Sequence, residues 1–218
     1  MGRAGIPSPL HVWSGGVRTS QSGRGAENPG LESLLFLGRL VERIEIKEIS
    51  LCIADPERIK FIAQADKPLN DVLSILYLYM PNANYSEGLG VVSYKQNQRL
   101  VTVFSTGKIG MTYVKDKQEA ERLVAELRKL INRAIVYHAI HGEPDPKLIE
   151  DKKKLNVAAI YEKLPRNNCK ECGEASCYAF AVKLANGDVN LESCKPLTIT
   201  SNLGNAIRLR SLMQPIKI

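Results

Sequence analysis

The sequence predicts an α+β protein: an antiparallel sheet with helices, followed by a small helical domain gathered around cysteines. Three observations predict it. Short segments alternate apolar and polar side chains between turn residues, which is the pattern of half-buried strands. Longer segments repeat apolar residues at helical spacing. Four of the five cysteines fall within residues 169–194.

The elements follow in order. Residues 1–30 hold seven Gly, three Pro and four Ser, a composition that predicts a disordered tail or a start codon assigned too far upstream. Trp13 and His11 lie in that tail. Residues 31–44, with Leu34, Leu35, Leu37, Leu40 and Val41, predict a short amphipathic helix. Ile46–Ile53 alternates as a strand, Asp55-Pro56 marks a turn, and Ile59–Ala63 is the paired strand. Pro68 opens a helix that carries Leu69, Val72, Leu73, Leu76 and Met80, and Pro81 stops it. Strands are expected at Gly90–Tyr94, Leu100–Ser105 and Ile109–Val114, joined by polar turns at 95–98 and 106–108. A long helix starts near Asp116, buries a face through Ala120, Val124, Leu127, Ile131 and Ile135, and ends around His138, His141 and Gly142.

Glu143-Pro144-Asp145-Pro146 reads as a stiff linker and the domain boundary. A solvated helix over 147–154 follows, with Lys152-Lys153-Lys154, then a short helix Val157–Leu164. A further helix covers about Ala175–Leu184, closed by Asn186-Gly187 as a left-handed cap. No periodicity is legible from Ile199 onward. The expected organisation is a tail (1–30), an α+β domain (31–142) and a cysteine domain (147–218).

The net charge is +7, which as a single number invites a nucleic-acid reading. Its distribution argues otherwise. Residues 31–145 carry 15 basic and 15 acidic side chains, whereas residues 146–218 carry 12 basic and 7 acidic. The positive excess therefore accompanies the cysteines. No stretch is long and apolar enough to predict a membrane span, and no apolar leader is evident at the N-terminus. A reducing, cytoplasmic setting is the expectation, and there clustered cysteines point to a metal rather than to disulfides.

The spacing is Cys169-x2-Cys172-x4-Cys177-x16-Cys194. Four thiolates serve an iron–sulfur cluster or a structural zinc ion. Zinc sites favour two close pairs, whereas three close thiols plus a remote fourth is the ferredoxin-like habit, so the spacing favours the cluster and leaves zinc, disulfides and free thiols as alternatives. Gly173 gives the loop backbone freedom, and Pro196 stiffens the approach of Cys194. Arg166, Lys170, Lys183 and Lys195 are near enough in sequence to stabilise added negative charge. Tyr178, Phe180 and Val182 are expected to pack beneath the site. Cys52 reads as a small core residue, and His138 and His141 as surface residues.

Leu164-Pro165-Arg166-Asn167-Asn168-Cys169, the Cys172-Gly173-Glu174 core and the Ala179-Phe180-Ala181-Val182-Lys183-Leu184 helix resemble the [4Fe–4S] domain of the large subunit of the corrinoid iron–sulfur protein, from the acetyl-CoA decarbonylase/synthase system. The resemblance covers about residues 157–197. It implies that Cys169, Cys172, Cys177 and Cys194 hold a [4Fe–4S] cluster. The large subunit's barrel and cobalamin-binding domain have no counterpart in this chain, so methyl transfer is not implied.

Asn82-Ala83-Asn84-Tyr85, Gly88-Leu89, Phe104-Ser105-Thr106-Gly107-Lys108-Ile109 and Glu119-Ala120 together resemble one repeat of the TATA-binding protein. The resemblance covers about residues 46–136 and implies a curved antiparallel sheet backed by helices. DNA binding carries over poorly. The saddle needs two repeats, Leu89 stands where a wedge Phe is expected beside Phe104, and the region has no net positive charge. Leu89, Val91, Val103, Phe104 and Thr112 are expected to form an exposed apolar face, for a second copy or a protein partner.

No nucleophile elbow, phosphate loop or zinc-protease motif is present, so the sequence alone predicts no enzyme. It predicts a [4Fe–4S] protein that moves one electron at a time to or from a redox protein partner, corrinoid- or acetyl-CoA decarbonylase/synthase-related, in an archaeal setting. An iron–sulfur-sensing DNA-binding regulator and a structural zinc protein are the alternatives.

Overall fold

The computed structural model describes residues 38–53, 55–96 and 98–218. The expected tail, with Trp13 and His11, lies outside these residues. Strands β1 (Ile44–Leu51) and β2 (Ile59–Ala65) form an antiparallel hairpin. Its connection is closed by hydrogen bonds from Cys52 N to Arg58 O (2.8 Å) and from Arg58 N to Asp55 O (3.0 Å). A 3-10 turn at Asn70–Val72 leads into helix α1 (Leu73–Tyr79), which crosses to the far edge of the sheet. There β3 (Ala83–Ser86) begins a run of hairpins through β4 (Val91–Gln96), β5 (Arg99–Phe104) and β6 (Lys108–Val114). The last strand returns to pair with β2, so the order is β1-β2-β6-β5-β4-β3, antiparallel throughout.

The period-two pattern decides which face is buried. Phe61 and Ala63 of β2, Val92 of β4, Val101 and Val103 of β5 and Ile109 of β6 all point into the core. Helix α2 (Lys117–His141) and α1 cover that face. Each such large aliphatic contributes about 1.5–3 kcal/mol by leaving water. Helix α2 starts where Asp116 accepts a hydrogen bond from Glu119 N (2.8 Å), while Glu119 accepts one from Lys115 N (2.6 Å). Asn132 in mid-helix pairs with the Val41 backbone in both directions, each bond 2.9 Å. Gly107, at φ +85°, turns β5 into β6 where a Cβ would stand 2.7 Å from Lys67 O.

Beyond α2 come α3 (Pro146–Lys153), α4 (Val157–Glu162), α5 (Cys177–Asn186) and α6 (Leu203–Met213), with 3-10 turns between α5 and α6. A second cluster of buried side chains forms here around Ile160, Leu164, Phe180, Leu184, Leu197 and Leu209. Ile216, after α6, packs back into the first cluster. Among the described residues no helix is long and apolar enough to cross a membrane.

Several expectations change. The helix expected over 31–44 is absent from its described part: residues 38–43 form turn and loop, held by Asn132 and by Lys67 Nζ on Leu40 O (2.6 Å), and Ile44 already belongs to β1. Residues 31–37 lie outside the description. Strand β3 is only four residues, Ala83-Asn84-Tyr85-Ser86, too few to carry a legible alternation. Helix α6 has only Leu209 and Met213 buried, which leaves no clear stripe to read. The supposedly solvated helix 147–154 holds a buried residue, Lys152, only 6% exposed. The expected apolar face is also revised. Val103 is fully buried on the core side, because Val91 pairs with Phe104 and Val92 with Val103 across the β4–β5 ladder. Leu89 is 77% exposed.

Candidate metal centre

The four cysteines of the cluster motif come from three kinds of local structure. Leu164, 3% exposed, anchors the segment in the second core, and the chain then runs as an irregular loop to residue 176. Cys169 is exposed and Cys172 half-buried on that loop. Cys177 is buried as the first residue of α5. Ser176 caps this helix by accepting from Ala179 N (3.1 Å), and Asn168 Oδ1 accepts from Cys177 N (2.8 Å). The helix end presents N–H groups and the positive pole of the peptide dipoles beside Cys177. Cys194 is buried between two 3-10 turns, where its N–H reaches Leu191 O (3.2 Å) and its carbonyl accepts from Leu197 N (3.0 Å). Pro196 lies in the first turn of the second of these.

The loop backbone is unusual. Arg166, Asn168 and Lys170 have φ of 57°, 50° and 62°, the left-handed region, while Asn167 and Cys169 between them do not. Left-handed geometry costs a side-chain-bearing residue about 1–3 kcal/mol and persists where the surroundings or a function demand it. Alternating handedness curls successive N–H groups toward one side, the nest geometry found around anions and iron–sulfur clusters. The amides of Lys170, Glu171 and Cys172 have no acceptor among the described residues. Gly173, at φ +84°, completes the turn, as its sequence position predicts.

Electrostatics ties the four thiols together. Burial pushes the Cys194 thiol up from its ordinary acidity, and the negative charges of Cys172, Cys177 and Cys169 push it further. Among the described residues, however, no three His, Cys, Asp or Glu side chains converge closely enough to hold one metal ion. The thiols share a neighbourhood without meeting at a point. All-sulfur donors, the inward-turned amides and the helix N-terminus fit an anionic iron–sulfur group with thiolate ligands.

Of the cations picked from sequence, Lys183 is paired with Glu174 (2.8 Å), so its charge is already compensated, while Arg166 and Lys170 are exposed. Phe180 is 1% exposed and packs beneath the loop as expected, but Tyr178 is 55% exposed and meets Tyr161 edge-on instead. The sequence reading quotes Asn168 as part of the Leu164–Cys169 motif but gives it no role; its hold on Cys177 N is visible only in the structure. His138 contacts Glu143 (3.1 Å) and His141 packs on Tyr137, both away from the cysteines in sequence.

Residues 164–196 match a family model described as "Putative Fe-S cluster". The chain is 36% identical over 63 residues to the acetyl-CoA decarbonylase/synthase complex subunit gamma of Methanocaldococcus jannaschii, 29% of this chain and 13% of that protein. It is 54% identical over 40 residues to the corrinoid/iron-sulfur protein large subunit of Moorella thermoacetica, 18% of this chain and 9% of that one. A gamma subunit from Methanothermobacter thermautotrophicus is 49% identical over 45 residues, 21% and 10%. The chain thus spans about a tenth of the length of these relatives. No solved structure matches it significantly.

These names correct one expectation. The sequence alone predicted no enzyme, but relatives that match this chain are named as subunits of the acetyl-CoA decarbonylase/synthase complex, an enzyme complex. The error has a physical source: a search for a nucleophile with its base tests for self-contained catalysis, and a subunit that contributes a cofactor needs neither. The cysteine segment, residues 164–196, is where the chain is similar to iron–sulfur proteins, and that likeness supports an iron–sulfur cofactor.

Proposed function

We propose that Cys169, Cys172, Cys177 and Cys194 bind a [4Fe–4S] cluster and that the chain passes single electrons within a multi-subunit, corrinoid- or acetyl-CoA decarbonylase/synthase-related assembly in the cytoplasm. When bound, the cluster supplies a one-electron couple. The chain's residues do the rest. Cys177 and Cys194 hold the buried side, Cys169 and Cys172 the exposed side, and the amides of residues 170–172 donate toward the sulfurs. The exposed edge at Cys169 is the natural electron exit. Residues 147–218 form the cluster domain and residues 31–142 the domain that docks on the partner.

The observation that carries this reading is the alternating left-handed backbone at Arg166, Asn168 and Lys170 around Cys169, with Cys172, Cys177 and Cys194 gathered at the same small core. Anaerobic purification with iron, sulfide and zinc analysis tests it. About four iron and four sulfide per chain are expected, with an EPR signal on reduction. One zinc and no sulfide would overturn the proposal.

A further inference from the structure

The hydrogen bond from Cys177 N to Asn168 Oδ1 (2.8 Å) joins positions nine apart in the chain. It closes a ring, residues 168–177, that carries Cys169, Cys172 and Cys177, three of the four clustered thiols. Few other bonds shape this segment. Gly173 N reaches Lys170 O (2.9 Å), Asn167 Oδ1 accepts from Cys169 N (3.4 Å), and Glu174 meets Lys183 of α5 (2.8 Å). No strand or helix ladder holds residues 165–176, so the closing bond does much to set where the three thiols stand.

Asn168 suits this task in two ways. Its φ of 50° lies in the left-handed region, which Asn enters more readily than most residues because its short side chain bonds locally. Arg166 and Lys170, its neighbours in the alternating pattern, have no such advantage. The second way is a matter of donors. The amides of Lys170, Glu171 and Cys172 have no acceptor among the described residues, whereas those of Cys169 and Cys177 are taken by Asn167 and Asn168. N–H donation to sulfur stabilises the more reduced, more negative cluster and raises its potential. Asn168 therefore withholds one donor, at the start of α5, from the sulfurs.

We propose that Asn168 is a positioning residue for the metal group: its amide oxygen closes the three-thiol ring and, by occupying the Cys177 N–H, holds the reduction potential down. The potential rests on the cluster reading above; the ring rests on the hydrogen bond and the backbone alone. With the ring already closed, a metal group meets three thiols that need not be drawn together from an open loop.

The full-length parent, Asn168→Gly and Asn168→Asp, each purified anaerobically, test this. Asn168→Gly keeps the left-handed backbone and loses the acceptor, while Asn168→Asp keeps both. Iron release to bipyridine should be about tenfold faster from Asn168→Gly than from the parent, and parent-like from Asn168→Asp. The midpoint potential, from anaerobic titration followed by EPR, should rise in Asn168→Gly and not in Asn168→Asp. An Asn168→Gly chain that takes up no metal while Asn168→Asp loads fully also supports the ring. Equal release from the parent and Asn168→Gly would overturn the proposal. So would release from Asn168→Asp as fast as from Asn168→Gly, or failure of both variants to load with far-UV circular dichroism intact. Faster release from Asn168→Gly with an unmoved potential would make Asn168 a structural residue and overturn the positioning role. Iron and sulfide in the parent decide the cluster separately. One zinc and no sulfide would overturn that reading and the potential with it, and zinc release from the same three chains to a chromophoric chelator would then decide the ring.

Discussion

The two halves of this molecule hold themselves together by different means. The sheet half has a continuous aliphatic core in which strand faces alternate and two helices seal one side. The cysteine half has a much smaller cluster of buried side chains, short helices, and a loop with three residues in left-handed geometry. A core that small yields little net stability, and natural small units add a metal or another cross-link. Regular burial stabilises one half, and the other gathers its cysteines at a small core.

The sharpest way to break that comparison is Cys177→Ala. It should abolish the iron–sulfur absorbance completely while far-UV circular dichroism retains the sheet signal. Loss of both together would show that the halves are one cooperative unit. Next, Phe180→Ala should cost about 3–5 kcal/mol, because a 1%-exposed ring leaves a cavity that a small core cannot fill by shifting. Denaturant titration followed by cluster absorbance measures it, and a transition seen only in the sheet signal would contradict the division of roles.

Lys152 gives a pH test of the junction. Burial brings its ammonium down to about 7 from an ordinary 10.5. Between those values the unfolded chain binds the proton and the folded chain does not. Stability should therefore rise with pH from about 7 toward 10.5, by at most about 1.4 kcal/mol per pH unit, and should not change through this group below 7. Lys152→Met should flatten that slope in thermal melts across pH, and an unchanged slope would assign it elsewhere. Gly187→Ala should cost about 1–3 kcal/mol, since φ is +76° and the new Cβ would stand 2.7 Å from Asn82 Nδ2. Smallest is Asp116→Ala, about 0.5–2 kcal/mol through the lost cap on α2, seen as a lower urea midpoint for the sheet half alone.

How much of this was legible in the sequence differs between the halves for the same physical reasons. Alternation in Leu100–Ser105 and Ile109–Val114 and the helical period after Asp116 are averages over many side chains, so β5, β6 and α2 were readable within a residue or two. β3 was not, because four residues held by one neighbour carry too little pattern. The Asn186-Gly187 cap was readable because one residue type meets one backbone need. The cysteine spacing was legible, and the family model matches the segment that carries it. The backbone around the cysteines was not, since Arg166 and Lys170 are poor left-handed residues and only the surrounding structure sets their φ. Lys152 was misread because a run of lysines normally faces water, and nothing local to it records the carbonyls of α1, more than seventy positions earlier.

Ile216 gives the chain a closing order. It sits in the sheet's core, in the same cluster as Val41, so the polypeptide leaves that core, builds the whole cysteine half, and comes back. The cysteine half is thus suspended from the sheet at both ends, like a bead on a loop of thread, rather than trailing from one. Contacts so distant along the chain form late, because the intervening loop must first be drawn in. Until Ile216 seats, the thiol loop is joined to the sheet's core from one side only; once it seats, it is tethered on both.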